Sequence, residues 1–164
     1  MGYDIFSIER DAAASETHAR KFKRDGFFSS FDEDGNFVGS DALYFRLNMW
    51  GMGTLRRILY DLGVTQLALY EALADNSGNE ISPELCLEVA GILRSHPADK
   101  VKSVAAKCYV DHVESFRAYG HGNENTPLPT DEMVEKEAEE WLSYVNEWTE
   151  FLEGSAKLGG AVVL

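Results

Sequence analysis

Four side chains spaced two apart, Tyr44, Arg46, Asn48 and Trp50, are the set in this chain best suited to grip a ligand. On an extended strand, residues i, i+2 and i+4 share a face. The four would therefore stand together, with Phe45, Leu47 and Met49 on the opposite, apolar side. A guanidinium fork, an amide and two aromatic rings suit a planar or anionic ligand. The same residues also have a purely structural use. Arg46 can pair with a carboxylate such as Asp4, and Asn48 can cap a following helix.

Other chemistry-bearing residues are sparse. Of four histidines, His18 and His121 lie in polar stretches and His96 sits at an expected helix end, where a cation is favoured. His112 falls on or near an inward stripe after Asp111, but adjacent helical residues do not face each other. No Glu-x-x-His or His-x-x-x-His pair offers a helical metal site. Gly-x-Ser-x-Gly, the phosphate loop and the dinucleotide fingerprint are absent as well. Asp32, Asp34 and Asn36 have the spacing of the first calcium-loop ligands, yet Phe37 and Leu43 stand where that loop needs Gly and Glu. We therefore assign no catalytic residue, no metal and no cofactor. Cys86 and Cys108 fall on apolar helical stripes and read as small buried hydrophobes, which fits a reducing cytoplasm.

Charge is the second signal. The net charge is −13, and it is uneven: residues 1–60 carry 9 acids and 8 bases, residues 61–164 carry 19 and 7. Direct nucleic-acid binding needs a basic surface, so it is not expected. Between Asp131 and Glu153 lie nine acids and one lysine. Glu135, Glu139, Glu140, Glu147 and Glu150 there form a surface for a basic partner, or else a merely solvated face. The short basic cluster Arg20, Lys21, Lys23 and Arg24 reads as a solvated helix face or turn.

These residues need elements to hold them, and the sequence indicates an α+β, mostly helical fold of about five or six helices in one domain, residues 1–164. Tyr3 to Ile8 reads as a first strand. A short helix follows over 11–24, then a hairpin near 27–39 around Asp34-Gly35. Tyr44 to Trp50 reads as a strand, and Gly51 and Gly53 place the start of regular helix after them. That helix ends at Gly63. Thr65 caps a second, with Leu67, Tyr70 and Leu73 inward, ending in the turn residues Asp75 to Asn79. Ser82-Pro83-Glu84 is a strong start signal for a third, with Leu85, Val89, Ile92 and Leu93 inward. A fourth runs from about Ala98 to Tyr119, with Val101, Val104, Ala105, Cys108 and Phe116 inward. Residues 120–129 make a polar loop, expected to be mobile. Thr130 caps the longest helix, whose seam is Val134, Ala138, Trp141, Val145, Trp148 and Leu152. Gly159-Gly160 breaks it, and the apolar residues 161–164 are expected to join a small antiparallel or mixed sheet beside the first strand.

No run of eighteen apolar residues marks a membrane span. The first residues lack the basic and apolar regions of a signal peptide, and Phe6 stands where myristoylation wants Ser or Thr.

Four pieces, in order, carry a resemblance: MGYDIF at the start, YFRLNMWGM, NSGNEIS, and a Trp-rich helix leading into GG and AVVL. Together they resemble an uncharacterised group of small phage and actinobacterial proteins. That group starts Met-Gly-x-Asp, carries Tyr-Phe-Arg-x-Asn-x-Trp and ends in a Gly-Gly strand. The resemblance implies a phage or prophage setting, hence a host cytosol, and brings no activity. Larger members insert a cysteine-rich, zinc-binding segment before the final helix, where this chain has the cysteine-free GHGNENTPLP. The expected function is non-enzymatic binding of a protein, such as a basic host protein, through the acidic helix. The alternatives are a ligand site or small enzyme on residues 44–50, or a structural homodimer.

Overall fold

The computed structural model describes residues 2–9, 11, 13, 42–118 and 127–164. The hairpin near 27–39, the rejected calcium frame, the basic cluster and nearly all of the expected helix at 11–24 lie outside the described residues, as does most of the loop 120–129. Among the described residues there are four strands, β1 (Gly2–Ser7), β2 (Tyr44–Asn48), β3 (Asn79–Ile81) and β4 (Ala161–Val163). Five helices accompany them: α1 (Met49–Asp61), α2 (Leu67–Ala72), α3 (Pro83–Arg94), α4 (Ala98–Ala118) and α5 (Asp131–Ala156). The architecture is α+β and mostly helical.

The sheet is antiparallel throughout, in the order β2-β1-β4-β3. Its register decides which side chains share a face. Ile5 lies opposite Phe45 on one side and Val163 on the other, and Ser7 lies opposite Ala161. With Leu47 and Ile81 these form the core face, all buried. The outer face carries Asp4 opposite Arg46, and Phe6 opposite both Tyr44 and Val162. The apolar end of the chain does join the sheet beside β1, as expected. Strand β3 was not expected, because Gly78 (φ +83°) and its polar neighbours read only as a turn.

Helix α5 covers the core face. Trp148 and Phe151 sit with ring centroids 4.9 and 6.0 Å from Phe45 on β2. Each such buried ring removes roughly 150–250 Å² from water, which makes this cluster a main source of stability. Of the expected seam, Ala138, Trp141, Val145, Trp148 and Leu152 are buried and Val134 partly so. The acidic side of α5 is partly used up in holding it. Arg94 of α3 grips Glu153 with two hydrogen bonds of 2.9 Å. Lys102 of α4 reaches Glu139 at 2.5 Å. Exposed pairs of this kind are screened by solvent, so they orient the helices more than they stabilise them.

Helix starts follow the local chemistry. Ser82 Oγ accepts from the Leu85 amide with Pro83 in the first turn, and Thr130 Oγ1 accepts from the Met133 amide. Helix α1 departs from the expectation. It begins at Met49, ahead of both glycines, because Asn48 Oδ1 accepts from the Gly51 amide at 2.7 Å and caps it. A Cβ on Gly51 would stand 3.2 Å from that oxygen and 3.3 Å from Leu47 Cδ2. Glycine here lets the strand turn at once into the helix. Helix α2 is also shifted: Gln66 holds the cap position, not Thr65. Leu67 is exposed, and burial falls on Leu69, Ala72 and Leu73, because the Tyr70 hydroxyl bonds the Val64 carbonyl and fixes the turn. Phe116, expected inward near the end of α4, is exposed and faces His112.

Candidate functional site

The four residues of the 44–50 stretch do not form one face. Strand β2 ends at Asn48, so Trp50 leaves the period-two pattern and sits in the first turn of α1, 78% exposed. Tyr44 and Arg46 stay on the outer face of the sheet with Asp4. The Tyr44 hydroxyl donates to Asp4 Oδ1 at 2.5 Å, and Arg46 Nε lies 3.6 Å from the same oxygen. Asp4 and Tyr44 are buried. Burial, with the hydrogen bond to Asp4, pushes the Tyr44 phenol well above its ordinary range. A phenol held neutral beside a carboxylate is a poor base or nucleophile and a good strut. This half of the stretch joins β1 to β2, as the structural reading of Arg46 required.

Asn48 and Trp50 lead elsewhere. They line a half-open cleft of about 300 Å³ between the first turn of α1, the middle of α4 and the N-terminal half of α5. Helix α4 contributes Cys108, Tyr109 and His112. Helix α5 contributes Glu137, Glu140, Trp141 and Tyr144. The spacing i, i+3, i+4 and i+7 puts these last four on one stripe. Glu137 Oε1 accepts from Trp141 Nε1 at 3.1 Å, and the Trp141 and Tyr144 rings lie 5.2 Å apart. No lysine or arginine is among the described residues lining the cleft. The two surfaces singled out from the sequence, the end of the 44–50 stretch and the acidic helix, thus meet here.

No protein-family model matches the chain, and neither the curated proteins nor the solved structures give a match.

The remaining acids of the helix are dispersed. Glu135, Glu140 and Glu150 are exposed, Glu147 accepts from Ser143 Oγ at 3.3 Å, and Glu139 is held by Lys102. His112 is exposed at the cleft, not on the inward stripe, and His96 Nε2 lies 2.6 Å from the Leu62 carbonyl oxygen. Cys86 and Cys108 are both free and buried. Burial pushes the Cys108 thiol up to about 11 and the Cys86 thiol up to about 12, away from the range of a reactive thiolate. Among the described residues no cluster of three metal-ligating side chains occurs, and no helix is long and apolar enough to cross a membrane. Sequence reasoning passed over Tyr109, Glu137 and Tyr144. The α5 stripe was readable as spacing, but nothing local says that α4 and α1 face it.

Proposed function

We propose that the chain acts by binding a basic protein partner through this cleft and the acidic side of α5. One observation carries the reading: an exposed tryptophan, Trp50, stands across a concave site from the carboxylates of Glu137 and Glu140. Tryptophan and tyrosine are enriched among the few residues that carry most of the binding energy in protein interfaces, and a carboxylate rim selects basic partners and speeds their encounter. The raised thiol of Cys108 favours binding over nucleophilic chemistry at the same place. A phage-type protein acting on a basic host protein in the cytosol would use such a surface. A homodimer would use it differently, with Trp50 meeting its own copy.

Selection from a random peptide display library against the whole chain tests the reading. Enriched sequences should be rich in lysine and arginine, and their capture should fall between low and high salt. Trp50→Ala should remove most of it. Enrichment of apolar or acidic sequences, or capture indifferent to Trp50, would overturn the reading.

A further inference from the structure

We infer that the group seated in the cleft is an arginine side chain of the partner; this rests on the reading above and names its chemistry. Size comes first. About 300 Å³ is the lower end of ligand sites, too little for a helix or strand and suited to one long side chain. Next come the walls. Trp50, Tyr109, Trp141 and Tyr144 supply aromatic rings, while Glu137 and Glu140 stand on successive turns of one helix face. Aromatic faces and carboxylates together describe a cation, since the first attract it through the ring quadrupole and the second by charge.

Two features of the cleft do not favour a cation: the His112 imidazole in its lining, a basic side chain, and a helix end. The first turn of α1 opens onto the cleft, and a helix N-terminus carries roughly half a positive charge. That end is partly satisfied already, because Asn48 takes the Gly51 amide. Two carboxylates outweigh what is left. Between the two basic side chains, a guanidinium is planar, stacks on rings and offers a fork of donors to carboxylates, whereas an ammonium is a compact, strongly hydrated point charge. Glu137 already accepts from Trp141 Nε1, so it is held in place to receive one arm of the fork.

The test uses the chain's three tryptophans as reporters. Trp50 and Trp141 line the cleft, and Trp148 is buried in the core. The probes are N-acetyl-Gly-Arg-Gly-amide, its lysine counterpart and the neutral citrulline counterpart, titrated against nitrogen-15 labelled protein. The arginine peptide should shift the indole signals of Trp50 and Trp141 saturably and leave Trp148 in place. Lysine should bind more weakly, and citrulline should not saturate. Glu140→Gln should weaken the arginine peptide roughly tenfold, with an unmoved Trp148 signal showing that the variant is folded. Glu71→Gln, on α2 away from the cleft, should leave affinity within about twofold.

Citrulline binding as well as arginine would overturn the inference. So would basic peptides that bind without moving Trp50 or Trp141 and lose as much affinity to Glu150→Gln as to Glu140→Gln. That second result would leave the acidic-helix reading standing. If no basic peptide shifts any resonance at millimolar concentration, both fall.

Discussion

The hydroxyl of Tyr44 donates to Oδ1 of Asp4 across the β1–β2 pair, at 2.5 Å between two buried side chains. The two residues are 40 positions apart in the chain, so this bond fixes the register of two strands that no turn connects directly. It also keeps a buried carboxylate supplied with a donor, together with the guanidinium of Arg46.

Tyr44→Phe removes that donor and keeps the ring. Leaving a buried acceptor short of a partner costs about 1–3 kcal/mol, and urea denaturation should show a loss in that range. Arg46→Ala should cost less, since its side chain is 45% exposed and the ion pair is longer. If Arg46→Ala costs more than Tyr44→Phe, the join has been assigned to the wrong pair.

Two glycines should respond in opposite directions. Gly160 has φ +102°, and a Cβ there would press into the Ile81 carbonyl oxygen, which is backbone and cannot move aside. Gly160→Ala should destabilise by at least about 1–3 kcal/mol from the strained backbone alone. Gly91 is exposed in the middle of α3, with nothing near the Cβ position. Gly91→Ala should stabilise by up to about 1 kcal/mol. Thermal unfolding of both variants checks the pair.

Acid should loosen the ion pairs that tie α5 to α3 and α1 to α4. The Arg94 hydrogen bonds hold the Glu153 carboxyl below its ordinary range, and the Lys107 hydrogen bond does the same for Asp111. For a carboxyl whose folded pKa is lowered, the stabilisation is complete above the unfolded value, about 4.3 for Glu and 3.9 for Asp. It is lost as pH falls from there through the folded value. Glu153→Gln should therefore flatten the acid limb of stability against pH while changing stability at pH 7 by no more than about 1 kcal/mol. A variant whose acid limb keeps the wild-type slope would show that the pair contributes nothing.

How much of this was legible in the sequence depended on distance along the chain. Ser82-Pro83-Glu84 and Thr130 announced their helices because a cap involves only residues three apart. The seam of α5 was legible because burial repeats with the helix. Trp50 was misplaced because period two held up to Asn48 and stopped there. Gly51 and Gly53 have low helix propensity, but the Asn48 cap and the packing of Leu47 against Gly51 override it. Strand β3 went unread because its partner, residues 161–163, lies some eighty residues downstream. The cleft needed three such distant pieces at once: Asn48 to Thr54, Cys108 to His112, and Glu137 to Tyr144. Asn48, Trp50, Glu140 and Trp141 were visible one by one, Tyr109, Glu137 and Tyr144 were not, and nothing local announced their meeting.

Strand β4 lies between β1 and β3, which do not touch each other. A ribosome must therefore deliver residue 163 before the sheet can be completed, some 156 residues after the end of β1. At about 5–20 residues per second that interval is roughly ten to thirty seconds. Until then the core face of β1 awaits both α5 and the strand beside it, and the faces of β2 and β3 join the wait as each is made. Ile5 waits through all of that interval, Phe45 and Leu47 through about three quarters of it and Ile81 through about half, and holdase chaperones have that time in which to act.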